Sequence, residues 1–152
     1  MGELTTGLID NTTQYIVIRI GNEQYGINIS FVENISRMIH ITRVPKVAPY
    51  LKGVINLRGE VIPVMSLRLK MGLEDDVYTK DTRIIILKLE AHGTIGILVD
   101  AVKEVVTLAD SMVEKVQNDA ERSNVFVTSV GKCEEGLVSL LDLNAVATEK
   151  EP

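Results

Sequence analysis

With 152 residues, a formal net charge of −5 and no run of five basic residues, the chain is excluded from the ordinary basic nucleic-acid binders. Its 45% hydrophobic content can fill a core, but with aromatics at 4% and no Trp, that core must be built from Val, Ile and Leu. A single cysteine, Cys133, excludes an internal disulfide, and polar residues interrupt every apolar run short of a membrane span, which points to a soluble, cytoplasmic, β-rich protein of one domain or two small ones sharing a core.

Met1 to Thr13 is polar and reads as a tail. Tyr15 to Ile20 is strongly β-forming, and Gly21-Asn22 makes a two-residue turn into a second strand, Gln24 to Ile29. Ser30 and Glu33 have the spacing of a capping box, which predicts one helical turn after that strand. Ile35 to Val44 continues as an extended segment, and Pro45 and Pro49 bracket a turn. Residues 53 to 67 then form the most informative stretch, in which two β-branched runs flank Arg58-Gly59-Glu60 and predict a hairpin tipped by an arginine. Pro63 cannot donate to a ladder, so its strand is expected at an edge or bulged. Ser66 has the chemistry of an N-cap for a short helix, Leu67 to Met71, closed by Gly72.

The acidic segment 72–82 reads as a linker. Arg83 to Leu89 is the most apolar strand, with Ile84 to Leu87 expected to be buried on both faces. His92-Gly93 turns the chain into Thr94 to Val99, Asp100 reads as a cap, and Val102 to Thr107 resumes strand character. A short helix near Ala109 to Val113 and a loop precede a last hairpin, Val125 to Val130 with Leu137 to Leu141, after which Asp142 caps a terminal helix.

The chain also repeats itself. Gly26, Ile27, Ile29, Val32 and Ile35 recur in frame as Gly96, Ile97, Val99, Val102 and Val105, and Val61 to Leu67 is echoed by Leu137 to Leu143, with Asp142 at the place of Ser66. Either an internal duplication or the chance periodicity of a Val/Ile-rich chain produces such matches, and the shared order of glycine, cap and apolar positions favours duplication. The predicted fold class is therefore all-β, two five-stranded barrels side by side with short capping helices, spanning 14–146 between tails 1–13 and 147–152.

Catalytic chemistry is not encoded in any recognisable set. His40 and His92 stand apart, neither has a cysteine or carboxylate at metal-ligand spacing, and Cys133 sits between Lys132 and two glutamates without a base. No phosphate loop or calcium loop is present. The expectation is no enzyme, no metal and no cofactor.

Gly53-Val-Ile-Asn-Leu-Arg-Gly59, followed by Pro63-Val64 and Leu67, resembles the signature stretch of the CheW family of chemotaxis coupling proteins. The match extends to Tyr25-Gly26-Ile27, to Gly96 through Val102, and to Gly136 through Leu143. The resemblance implies two Src-homology-3-like barrels and a non-enzymatic adaptor between the histidine kinase CheA and the cytoplasmic tips of chemoreceptors, the alternatives being a coupling domain of the same family in another signalling pathway or a small ligand-binding barrel. It places receptor binding on Val32, Ile35, Asn56, Leu57, Arg58, Val99 and Val102, with the valines and Ile35 lining a groove at the junction. Kinase binding falls on Val44, Pro45, Val61 and Ile62, and recruitment to membrane-associated receptor arrays is implied without membrane insertion. Family members often carry a glutamate two residues after the valine at Val32; here Glu33 comes one position early and Asn34 follows.

Overall fold

The computed structural model describes residues 11–116, 125–134 and 136–148; residues 1–10 of the expected tail, residues 117–124 of the expected loop, residue 135 and residues 149–152 lie outside them. Eleven strands and two short α-helices are described, with β1 at Thr12–Ile20, β2 at Glu23–Asn28, β3 at Val32–Arg37, β4 at Leu51–Leu57, β5 at Glu60–Ser66 and α1 at Leu67–Lys70. There follow β6 at Arg83–Leu89, β7 at Gly93–Val99, β8 at Ala101–Ala109, β9 at Val113–Lys115, β10 at Val127–Cys133, β11 at Gly136–Leu141 and α2 at Leu143–Ala147.

The strands form two sheets, ordered β8-β1-β2-β11-β10-β9 and β3-β6-β7-β5-β4. In each, a hairpin early in its repeat lies parallel to a strand from the other repeat. Val64 of β5 faces Gly96 of β7, and Leu140 of β11 faces Gly26 of β2. The sequence echoes make Val64 equivalent to Leu140 and Gly96 equivalent to Gly26, so the same register occurs twice. That coincidence decides for the duplication over chance periodicity. It also shows the exchange: β1-β2 of the first repeat completes a sheet with β8, β10 and β11 of the second, and β6-β7 completes the sheet of β3, β4 and β5.

Alternation along the strands divides the apolar residues into three layers. Ile16, Ile18 and Ile20 of the first sheet and Ile85, Leu87, Ile97 and Val99 of the second meet in a shared central core. Ile84, Ile86, Leu98, Ile55, Ile62 and Val64 form a second layer, and Val17, Leu108, Val138 and Leu140 a third. Ile84 to Leu87 thus serve two cores at once, as the unbroken apolar run predicts.

Both predicted helix caps at the strand ends are present. The Ser66 hydroxyl accepts from the Leu69 amide at 3.1 Å, and the Asp142 carboxylate accepts from the Ala145 amide at 3.2 Å. Several expectations are corrected. The turn after β2 is a 3-10 helix over Ile29–Phe31 capped by Asn28, not by Ser30, because the Asn28 side chain accepts from the Ser30 amide first. Pro63 lies on an interior strand, yet the β5–β7 ladder begins only at Val64, so its missing N–H costs no ladder bond there. Asp100 caps no helix and sits at the β7–β8 corner. Thr12 and Thr13 belong to β1, and Ala147 is a buried residue of α2, so both tails are shorter than the sequence suggests.

Candidate functional site

The β4–β5 hairpin closes through Arg58-Gly59 alone, with Leu57 paired to Glu60. Both turn residues have positive φ, 54° at Arg58 and 84° at Gly59, as a two-residue turn matching the strand twist requires. Glycine adopts this region freely, whereas an arginine there is strained. The Asn56 carboxamide accepts from the Gly59 amide at 3.2 Å and holds the turn from within. The Arg58 side chain is exposed and enters none of the ion pairs found among the described residues.

Arg58 borders a shallow concavity of about 180 Å³ whose rim also carries Glu33, Asn34 and Glu60, over the apolar Ile62 and Ile86. A bulge brings the acid there. In the β3–β6 ladder Val32 faces Leu87 and Asn34 faces Ile86, which leaves Glu33 as the extra residue. Glu33 and Asn34 therefore border the same concavity despite being adjacent. Glu60 follows the turn directly and was not singled out from the sequence; its place next to Arg58-Gly59 was the available signal.

The expected receptor-binding residues separate into surface and core. Ile35 is 39% exposed on the edge strand β3, and its repeat counterpart Val105 is 50% exposed on the edge strand β8. Val32 and Val102 are half-buried and pack against the central core from those two edges. Val99 is 1% exposed inside that core, so it has no surface to offer a partner. Asn56 is exposed and Leu57 half-buried. Of the expected kinase-binding residues, Val61 is 63% exposed and sits opposite Asn56, so one hairpin carries both sets. Its neighbour Ile62 is 1% exposed, turned inward by the alternation of the strand. Val44 and Pro45 lie on the exposed loop before β4, which is tied to it by paired backbone bonds of 2.8 Å between Thr42 and Val54. Lys46 in this loop is the other non-glycine residue with positive φ among the described residues, at 63°.

An ionic clasp, missed from the sequence, joins the two sheets. Asp100 accepts from Arg68 Nε at 2.9 Å, from Arg68 Nη2 at 2.8 Å and from the Gly21 amide at 2.8 Å. Arg68 extends from α1 beside the second sheet, and Gly21 is in the β1–β2 turn of the first. Burial pushes the Asp100 carboxyl up, but the hydrogen bonds from Arg68 and Gly21 and the Arg68 charge outweigh it and hold it below its ordinary value. Asp76 behaves in the opposite sense: burial raises it, and the Ser66 hydroxyl that donates to it offsets only part of that rise. No group of three or more His, Cys, Asp or Glu among the described residues is arranged to hold a metal ion. No helix among them is long and apolar enough to cross a membrane.

A family model described as CheW-like domain matches residues 14–151. The chain belongs to the CheW-like domain family. The chemotaxis protein CheW of Bacillus subtilis (strain 168) is 34% identical over 142 residues, covering 93% of this chain and 90% of that protein. CheW of Helicobacter pylori is 32% identical over 137 residues, covering 90% of this chain and 82% of that protein. Among solved structures, the scaffolding protein TtCheW from Thermoanaerobacter tengcongensis superposes with a TM-score of 0.82 at 28% identity, covering 90% of this chain and 92% of that one. The two-sheet all-β architecture thus fits that of a CheW-like domain, and a chemotaxis coupling role follows from the family.

Proposed function

We propose that this CheW-like domain is a non-enzymatic cytoplasmic adaptor that couples the kinase CheA to the cytoplasmic tips of chemoreceptors and is recruited to their arrays. The observation that carries the reading is Arg58, an uncommitted guanidinium held in strained backbone on an acid-flanked apolar concavity. Strain at an exposed turn persists in a sequence when the residue serves something other than stability. A helical receptor tip would offer a carboxylate to Arg58 and apolar side chains to Ile35 and the half-buried Val32 and Val102. Glu33 and Glu60 would select a basic or polar neighbour on that helix and reject a purely acidic one. The kinase would take the other side of the same hairpin, through Val61 and the Val44-Pro45 loop.

The test is reconstitution from purified receptor fragment, kinase and adaptor. Binding is measured to each partner alone, then kinase activity with all three. The reading expects separate binding to both partners and receptor-dependent activation only when the adaptor is present. Failure to bind either partner would overturn it.

A further inference from the structure

A cavity of about 770 Å³ shares no residue with the Arg58 concavity. Ile39 and Ile41 from the segment after β3, Leu51 of β4 and Leu69 of α1 supply its aliphatic surface. Ile39 and Ile41 also pack against the buried layer of the second sheet, so that part of the lining is anchored. The opposite wall comes from the acidic segment 72–82, through Asp75 and Tyr78. That wall is pinned, since Asp75 pairs with Lys52 at 2.7 Å and Asp76 accepts from the buried Ser66 hydroxyl.

The charges lining the cavity differ in availability. Asp75 and Lys52 neutralise one another. Arg43 also lines the cavity and enters none of the ion pairs among the described residues, and His40 lines it as well. Among the lining residues the charge left without an ion-pair partner is therefore that of Arg43, while Asp76 stands behind the wall on the Ser66 hydroxyl. A volume of this size falls within the roughly 300–1,000 Å³ of small-molecule sites. One uncommitted guanidinium above an aliphatic surface suits a singly charged anion, because a polyphosphate would leave most of its oxygens without donors.

We infer that this cavity binds a small amphipathic carboxylate, its acyl or aryl body on the aliphatic lining and its carboxylate on Arg43, apart from the Arg58 concavity and next to the Val44-Pro45 loop. The test is amide NMR of the full chain titrated with octanoate and, separately, with octan-1-ol. Octanoate should shift amides of residues 38–43, 51–52 and 75–78 saturably, with a dissociation constant of about 1 mM or tighter. Octan-1-ol should bind about tenfold more weakly, and Arg43→Gln should bring octanoate down to the same level. Arg43 is exposed, so that variant keeps the fold, which its unchanged spectrum would verify. Equal binding of acid and alcohol, indifference to Arg43→Gln, or the absence of a saturable shift would each overturn the inference. So would shifts centred on the exposed Val61 and Leu137, which would mark loose apolar association.

Discussion

Replacing Arg58 by asparagine should make the protein more stable and less functional. A non-glycine residue at φ near 54° costs on the order of 1 kcal/mol. Asparagine tolerates that region, and Asn-Gly is the favoured pair for such a turn. Nothing offsets the gain, since the Arg58 side chain is exposed and makes no ion pair among the described residues. The expected change is about +0.5 to +1 kcal/mol, a rise in melting temperature of about 1–4 °C for a chain of this size. Arg58→Gly should gain less, because glycine enlarges the unfolded ensemble. Lys46→Asn serves as a control, with the same backbone strain on a different loop. Thermal melts and receptor-dependent kinase activation, measured on the same preparations, decide the matter. Arg58→Asn should melt higher and activate no better than a mixture lacking the adaptor. A melting temperature lowered by more than about 2 °C would mean that Arg58 holds the fold. A raised melting temperature with full activation would show the guanidinium to be dispensable, and the proposed contact would fall with it.

Gly53→Ala should cost about 3 kcal/mol or more in urea unfolding, because a Cβ there would stand 2.1 Å from the Thr42 carbonyl oxygen at a φ of 146° and break the Thr42–Val54 pair; a loss under about 1 kcal/mol would refute this. Asp100→Ala should remove about 2 kcal/mol at neutral pH by leaving Arg68 and the Gly21 amide unpaired. Because the folded Asp100 titrates below its ordinary 3.8, its contribution is present above that value and is lost as pH falls through the lowered one. The gap between parent and variant should therefore narrow in unfolding curves below about pH 4, and a gap independent of pH would count against the clasp. Val61→Asp should stay within about 0.5 kcal/mol in stability while weakening kinase binding, whereas Val99→Ala should cost about 2 kcal/mol, and the reverse pattern would exchange their roles.

Local chemistry was legible where it was self-contained. The hairpin at Arg58-Gly59, the caps at Ser66 and Asp142, and the doubly buried run Ile84 to Leu87 each depend on residues within a few positions. Pairing across the chain was legible only in part: the echoes gave equivalent positions, but which hairpin joined which sheet required the ladder itself. Alternation explains the two misplaced surface residues. Ile62 and Val61 are equally apolar, and only the phase of β5 against the core separates a buried side chain from an exposed one. Val99 was assigned by resemblance, which places residues by equivalence and says nothing of which layer they enter. Glu33 was the hardest, since a bulge is a property of two strands in register. The Asp100 clasp was hidden for a similar reason, its partners Gly21 and Arg68 being remote in sequence.

The exchanged hairpins also bear on how the chain is made. The second sheet uses only residues 32–99, so it can close while synthesis continues. The β1–β2 hairpin, though translated first, waits for β8 and then for β11, which reaches Gly26 through Leu140. At roughly 5–20 residues per second the delay is on the order of ten seconds. During it, Ile16, Ile18 and Ile20 can lean on the finished sheet, yet the outer edges of β1 and β2 remain open to another nascent chain. Protein emerging from neighbouring ribosomes on one message is thus most vulnerable at its oldest strands, and chaperone capture should map to residues 12–28 rather than to the segment most recently made.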